Sequence, residues 1–542
     1  MQKQRSMPKR LGKRILLALA MLPGAMSATP IFADDPALSA QRLESGVLAS
    51  LGSPKDKNRN RGVYGAIFSP NGALVATRST DARVRIWNAA TGKRLSDFEP
   101  YGKGRIKDLA FSNDSKKIAT ISSERAEPTI AWSIATGEAT HKWDCTGDMI
   151  RPIDGAAGYR VIDRAGIREL SLDGAIAIKP LPNTVSVADF SFAKPLSPGT
   201  LNPYSGNAII YVPVISRLTE RSIHFAVQGF EGQRFTYDFG NALDGGVAIG
   251  RFSGSGRYAA AATRSDSRIL LADLANPDQR TARDLRVSGV DCLAFSPDER
   301  HLFVARKDGS AVILETLTQK EIANVPCIGE RIFAANFSPD GRRLVTGHSG
   351  SRENRAVIWN YQKLYLPSIS IPATGDLHRA AKLLEDANPK VAYKGLAQLV
   401  KQPKEAIGIL RKMLNLEPGE FIDTSKFDQF VADLDADRFE VRENAYEKIL
   451  AMRNKVKDRL EQALEDAASL ESRIRIRKIL EIRKGVIPGE GSRTTRRRAI
   501  RSIHALEIMG SDEARELLTK LSQAELDRQI AADAKAAISR LP

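Results

Sequence analysis

The chain of 542 residues is too long for one ordinary domain, and 42% hydrophobic with 27% charged residues is the make-up of a globular protein, not a disordered one. Its formal net charge of +17 is dispersed: six positive charges lie in the first 33 residues, and the remainder is shared between residues 34–370 and 371–542. Such dispersal argues against a dedicated nucleic-acid protein, which concentrates its charge, and three cysteines cannot build a disulfide framework.

At the start, Lys3, Arg5, Lys9, Arg10, Lys13 and Arg14 precede an apolar run from Ile15 to Ala28, with no acidic residue before Asp34. That order is a secretory signal over residues 1–33, cleaved near Ala28 or Ala33. As a helix rising roughly 1.5 Å per residue, the run covers about two-thirds of a roughly 30 Å hydrocarbon core, and Pro23-Gly24 interrupts it. No transmembrane segment is therefore expected in the mature chain, and the location expected is the periplasm or cell envelope of a bacterium. Residues 34–59 read as a linker.

From residue 60 onward a short phrase recurs: Ile-Phe-Ser-Pro-Asn-Gly at 67–72, Ala-Phe-Ser-Asn-Asp-Ser at 110–115, Arg-Phe-Ser-Gly-Ser-Gly at 251–256, Ala-Phe-Ser-Pro-Asp-Glu at 294–299 and Asn-Phe-Ser-Pro-Asp-Gly at 336–341. Its phenylalanines, Phe68, Phe111, Phe252, Phe295 and Phe337, are 43, 141, 43 and 42 residues apart, so two eroded units lie in the long gap and seven units are expected. Each unit reads as a four-stranded antiparallel sheet. In the first, Ala73–Thr77 is a strand, Ser79–Asp81 a turn, and Arg83–Trp87 a strand with Val84 and Ile86 on one face; Ala90–Lys93 turns into the last strand. One such sheet cannot bury both faces, whereas a radial ring of them can. The third unit is read as Tyr159–Asp163, Ile167–Leu172 and Ala175–Lys179, and the fourth carries a Pro-rich insertion at Ala193–Gly206.

These residues resemble the WD-repeat (WD40) family. Trp87-Asn88 and Trp359-Asn360 stand where that family has its Trp-Asp pair, and Trp132-Ser133 is a looser match. The family's structural Asp is matched by Asp81, and by Asp266 and Asp308 in units whose Trp has become Ala272 and Leu314. The Gly-His that opens each family repeat is absent, so the family's hydrogen-bonded tetrad is incomplete in every blade and some blades are expected to rest on apolar packing alone. The resemblance implies an all-β seven-bladed propeller over 60–368. It also implies that the turn between the second and third strands faces the narrow opening used for ligands. Arg78, Arg264, Arg306 and Lys307 lie at or beside that turn, a basic mouth suited to an acidic protein segment.

The Pro/Ser segment Leu366–Gly375 ends this pattern, and helical spacing follows over 373–542. Helices are expected to start near Leu377, Lys390, Glu405, Thr424, Arg438, Lys455, Leu470, Arg493, Asp512 and Ala524, mostly in pairs. In Arg438–Asn454 the apolar positions Phe439, Val441, Ala445, Ile449, Leu450 and Met452 form one stripe. The phrase at 433–445 resembles the start of a HEAT-type repeat, so an all-α HEAT/armadillo-like repeat domain is expected.

Chemistry is sparse. His141, His224, His301, His348, His378 and His504 lack metal spacing, and no Gly-x-Ser-x-Gly elbow is present. Asp433, Asp435 and Asp437 suggest a calcium loop, but Arg438 and Asn444 occupy the positions that need Gly and Glu, and helix capping explains the acids better. Cys145, Cys292 and Cys327 read as unpaired apolar residues, with Cys292–Cys327 the alternative bond. The basic runs Arg473–Lys478 and Arg496–Arg501 read as solvated helix faces or, alternatively, as the seat of an acidic partner; without aromatics they do not suit single-stranded nucleic acid. A non-catalytic, protein-binding scaffold is expected, with no cofactor and no metal. The competing reading is a secreted propeller hydrolase or lactonase, which requires three or more His, Asp or Glu from different blades to converge on the central channel.

Overall fold

The computed structural model describes residues 46–52, 62–102, 104–124, 126–153, 156–163, 166–173, 175–179, 213–215, 223–226, 234–237, 247–254, 257–263, 268–273, 283–286, 289–325, 331–349, 355–366, 376–414, 426–451, 456–467, 469–483, 490–523 and 528–541. The expected signal peptide, the insertion at Ala193–Gly206, Asp266, Arg264 and Cys327 lie outside these residues.

The strands form seven antiparallel sheets among the described residues, six of four strands and one of three. After β1 (Val47–Leu51), the first sheet is β2 (Val63–Phe68), β3 (Leu74–Ser79), β4 (Val84–Asn88) and β5 (Arg94–Phe98). The second is β6 (Ile106–Phe111), β7 (Lys117–Ser122), β8 (Thr129–Ser133) and β9 (Ala139–Trp143), and the third β10 (Met149–Pro152), β11 (Gly158–Asp163), β12 (Gly166–Ser171) and β13 (Ile176–Lys179). The fourth shows β14 (Pro213–Ile215), β15 (Ile223–Ala226) and β16 (Arg234–Tyr237); the fifth is β17 (Val247–Phe252), β18 (Tyr258–Thr263), β19 (Arg268–Asp273) and β20 (Arg283–Arg286). The sixth is β21 (Val290–Phe295), β22 (His301–Arg306), β23 (Ala311–Glu315) and β24 (Lys320–Val325), and the last joins β25 (Arg331–Phe337), β26 (Arg343–Ser349) and β27 (Ala356–Asn360).

Within a sheet the strands run a to d in chain order, and the a strands of neighbouring sheets pack on one another, β6 on β10, β17 on β21, β21 on β25 and β25 on β2. The recurring phrase makes the a–b turn. Its serine donates its amide to the carbonyl five residues on, and its hydroxyl accepts the amide there: Ser69 with Leu74, Ser112 with Lys117, Ser253 with Tyr258, Ser296 with His301 and Ser338 with Arg343, at 2.9–3.0 Å. The sixth residue of the phrase adopts positive φ, which Gly72 (68°) and Gly341 (67°) do without cost and Ser115 (59°) and Glu299 (60°) must tolerate. A β-bulge also recurs, at Val63/Gly65, Ile106/Asp108, Val247/Ile249, Val290/Cys292 and Ile332/Ala334, so Gly65, Asp108, Ile249, Cys292 and Ala334 are equivalent positions on the innermost strands.

One element corrects the sequence reading. Val47–Leu51, expected inside a linker, is a strand that pairs antiparallel with β27, Val47 opposite Trp359 and Leu51 opposite Ala356. It supplies the fourth strand of the last sheet and so ties the two ends of the sheet region together, while the first sheet packs against the same unit through β2, β25 and β26. The alternating burial of Val47, Ala49 and Leu51 explains its capture: those three side chains are buried in the apolar core, while Leu48 and Ser50 are half-buried.

The helices are α1 (Tyr361–Tyr365), α2 (Leu377–Leu383), α3 (Pro389–Lys401), α4 (Pro403–Met413), α5 (Phe427–Asp433), α6 (Phe439–Ala451), α7 (Lys457–Asp466), α8 (Leu470–Arg483), α9 (Glu490–Met509), α10 (Asp512–Gln523) and α11 (Arg528–Arg540). Asp376 and Asn388 cap α2 and α3 by accepting amide hydrogens, and Pro389 and Pro403 open α3 and α4. Gly395 lets α3 approach α2, since a Cβ there would lie 2.3 Å from the Ala380 carbonyl. The helices do not form one continuous array of pairs. α9 returns to pack on α3 and α11, and one apolar core runs from Phe337, Trp359 and Tyr361 through Leu396, Ile503 and Leu517. α5–α8 enclose a separate core around Phe427, Leu434, Ile449, Leu460 and Ile479. Exposed Phe439, Leu470 and Ile474 belong to that second unit.

Candidate functional site: the propeller axis and the interdomain junction

An antiparallel meander places its a–b and c–d turns at one end of each sheet and its b–c turns at the other. The helical domain sits at the a–b end. Arg300, beside the a–b turn of the sixth sheet, donates to Glu507 of α9 at 2.6 Å, and Arg540 of α11 pairs with the same carboxylate at 2.6 Å. Glu315, at the c–d end of β23, receives Arg501 of α9 through two bonds of 2.8 Å, and Arg501 Nη1 also donates to the carbonyls of Leu384 (2.8 Å) and Asp386 (2.7 Å). Lys390 reaches Glu321 at 2.9 Å, and Arg257 reaches Asp533 at 3.6 Å. Arg497 and Arg498 bind the carbonyl and carboxylate of Glu385. The basic run 496–501 is thus no solvated face: its acidic partners are the chain's own, brought together by the close packing of α9 against α3 and the sixth sheet.

Behind these pairs lies a buried ring cluster. His301 and Tyr393 are 2.7 Å apart (Nε2 to Oη), Tyr365 and His504 3.1 Å, and the His301 and Tyr365 ring centroids are 4.6 Å apart. Burial pushes His301 down to about 4, although the Asp298 and Glu315 carboxylates oppose it, and burial with Arg300 pushes His504 well below its ordinary value. Both imidazoles are therefore neutral at pH 7. Burial works against the Asp298 carboxylate, yet Arg300 and the neighbouring cations hold it well below the usual range. Between the two domains a cleft of about 560 Å³ is lined by Arg257, Asp533, Arg300, Thr316, Tyr393 and His504, among others.

The family-type positions are structural. Trp87, Trp132 and Trp359 each donate the indole N–H to a threonine on the adjacent b strand: Thr77 at 2.9 Å, Thr120 at 3.0 Å and Thr346 at 2.8 Å. Thr346 further contacts His348 at 2.7 Å, which extends one chain of polar groups through the last sheet. Asp81 pairs with Arg85 of its own c strand at 2.6 Å, and Asp308 accepts from the Ser310 amide and hydroxyl at 2.9 and 2.6 Å. Leu314, standing in the Trp position, is buried among Ile269, Leu293 and Val312 instead. The threonines escape the sequence reading because their spacing to the Trp varies with the b–c turn; only the register reveals them.

The basic positions separate. Lys307 is exposed, its stem lying over Gly289, and Arg306 lies 3.4 Å from Ser310 and 4.0 Å from Glu321. Arg78 instead leaves the rim and turns across Gly65 toward the second sheet, donating to the Ile106 carbonyl at 3.1 Å. There it meets Asp108, which accepts from the Ile150 amide at 3.0 Å and from Arg151 at 2.8 Å. Burial lowers Arg251 of β17, with Arg151 of the third sheet adding to that and Asp108 of the second opposing it. The described residues thus bring arginines and one carboxylate together there. Cys145 and Cys292 form no disulfide. Among the described residues, no group of three His, Cys, Asp or Glu is placed to hold a metal ion, and no helix is long and apolar enough to cross a membrane.

Repeated four-stranded sheets, the last completed by the N-terminal strand, followed by helices, are a propeller-like arrangement with a helical region after it. The family model described as "WD domain, G-beta repeat" matches residues 54–88 and 284–313. WD repeat-containing protein 1 of Xenopus tropicalis is 29% identical over 106 residues, 19% of this chain and 15% of that protein. WD repeat-containing protein 1-B of Xenopus laevis is 36% identical over 62 residues, 11% of this chain and 10% of its own length. The chain thus matches a small fraction of these relatives. The β-propeller domain of Cps50 (Swd1) from Myceliophteria thermophila covers 58% of this chain and 98% of its own, at 12% identity and a TM-score of 0.43.

Proposed function

We propose that the protein is a non-catalytic protein-binding scaffold, exported to the bacterial cell envelope, in which a seven-bladed propeller recognises a partner with an acidic segment. The observation that carries this reading is the placement of the helical domain. It is welded to the a–b end of the sheets by buried ion pairs, so the b–c turns, with exposed Lys307 and half-buried Arg306, lie at the opposite end. Loops at that end vary without disturbing the core, which is how repeat folds acquire partners. The α5–α8 unit, HEAT-like in pattern, offers a second surface through Phe439, Leu470 and Ile474.

The test is capture of envelope proteins by the full mature chain, run beside R306E/K307E and a truncation at Ser368. Partners retained by the intact chain and lost with the charge-reversed pair support recognition at the b–c turns. Identical capture by all three forms, or none by the intact chain, overturns it.

A further inference from the structure

We propose that the α5–α8 unit joins two copies of the chain into a two-fold dimer through the face that α6 and α8 share. Among the described residues of the helical region, the exposed large apolar side chains are Phe439, Leu470 and Ile474, at 62%, 74% and 52% exposure, and all three lie on these two helices. α6 and α8 run parallel, since their contacts advance together along both. The Ser469 hydroxyl donates to Asp435, Arg442 and Glu471 lie 3.9 Å apart, Arg475 pairs with Glu443 at 3.2 Å, and Lys478 Nζ lies 5.7 Å from the Tyr446 ring centroid. Arg442 also lies over the Phe439 ring at 5.9 Å, which sets that ring beside Leu470 at the N-terminal end of the pair.

Each helix buries one stripe and shows another. In α8, Ile476, Ile479 and Leu480 enter the unit's core, while Leu470, Arg473, Ile474 and Arg477 recur at three and four on the exposed side. At about 100° per residue, Arg473 and Arg477 fall on the side of Leu470 and Ile474 away from Glu471, Arg475 and Lys478, which face α6. In α6, Ala445 and Ile449 are buried, and Glu440, Asn444 and Glu447 form the exposed stripe. The shared face therefore grades across its width from acidic on α6, through the apolar middle, to basic on the far side of α8. Such a face complements itself. A half-turn about its normal reverses both helices and lays the apolar strip on its own copy. It also brings Glu440 over Arg477 and Glu447 over Arg473 of the second copy, an isologous contact that closes on itself. An anionic lipid surface or an acidic helix would meet Glu440 and Glu447 with repulsion, whereas the second copy matches both stripes. Two helices of about 20 Å lying side by side make a face about 20 Å across, at the low end of specific interfaces, so the dimer should be weak and concentration-dependent.

This contact leaves the b–c turns to the partner, and its test needs no partner. At sedimentation equilibrium the full mature chain should pass from monomer to dimer as its concentration rises, and less readily at high salt. L470D/I474D, changed at exposed positions and therefore folded, should weaken the dimer about ten-fold or more by placing charge in the apolar strip. R473E/R477E carries two acidic stripes and E440R/E447R two basic ones, so each alone should also dimerise about ten-fold or more weakly. Mixed together, the two should associate with one another as wild type does with itself. R306E/K307E should leave the mass unchanged, so loss of partner capture and loss of the dimer are told apart. Helical circular dichroism equal to wild type shows that the variants are folded, and the quadruple exchange E440R/E447R/R473E/R477E, which should dimerise normally, stands in for a pair that is not. A wild type that stays monomeric at every concentration, a dimer indifferent to L470D/I474D, or reversed variants that do not combine on mixing overturns the proposal; a monomer that sediments with vesicles of anionic lipid gives the face to a membrane instead.

Discussion

Replacing Arg501 with methionine should loosen the helical domain from the sheets more than any other single change at the junction. Arg501 is 1% exposed and Glu315 2%, and the guanidinium makes two 2.8 Å bonds to that carboxylate and two more to the Leu384 and Asp386 carbonyls. Methionine fills similar volume but strands Glu315 as a buried, unpaired charge, which costs about 3–5 kcal/mol. All four tryptophans, Trp87, Trp132, Trp143 and Trp359, lie in the sheet region, so tryptophan fluorescence follows the sheets while circular dichroism at the helical minimum follows the helices. Urea unfolding of wild type should give the two probes closely matched transitions, whereas R501M should move the helical transition to lower urea and leave the fluorescence transition behind. The double variant R501M/E315M, with no charge left to strand, should recover most of the loss. A shift in R501M below about 1 kcal/mol, the range of a surface ion pair, would refute the account of the junction as a buried weld.

Four further outcomes follow. Because His301 and His504 are held neutral in the fold, with pKa values below the ordinary 6.5, the unfolded chain takes up protons first as pH falls. Stability is then complete above about pH 6.5 and declines toward pH 4, by about 3 kcal/mol for His301, and urea midpoints at pH 7.5 and 5.5 should differ less in H301Q/H504Q than in wild type. T346V removes the acceptor of the Trp359 indole and the contact to His348, and should cost about 1–3 kcal/mol by thermal melting. G395A forces a methyl against the Ala380 backbone and should lower the helical transition by more than about 2 kcal/mol, whereas G408A, where a Cβ meets nothing within 4 Å, should not. Deleting β1 opens the edge of β27, and light scattering should show more self-association than the full chain gives.

The repeat was legible in the sequence because its information is local. Serine, proline, aspartate and glycine in the turn phrase bond within five residues of one another, and the alternating strands beside them carry their own register signal. The threonine partners of the tryptophans were harder to see, since they belong to a neighbouring strand. The junction was not legible at all. Arg501 and Glu315 are 186 positions apart and His301 and Tyr393 92, and in sequence each looks like an ordinary charged or ring-bearing surface residue. The axis falls between these cases: Arg78 was singled out for its place beside a turn, but its inward course depends on Gly65 and on a bulge repeated from sheet to sheet. β1 was missed because five residues of alternating pattern, isolated from the other strands, carry little signal until the edge they fill is known.

That strand also dictates an order of events in folding. Its partner, β27, lies some three hundred residues away, so bringing the two together closes a loop whose entropic cost is about 5 kcal/mol. Each sheet between them forms from hairpins of short span and can assemble by itself, but the ring is shut only when the whole sheet region has emerged and stacked. Until then β1 is unpaired and the newest sheet has a bare edge. Closure should therefore be the slow step, and the interval before it is when the chain is most exposed to pairing with a second copy of itself.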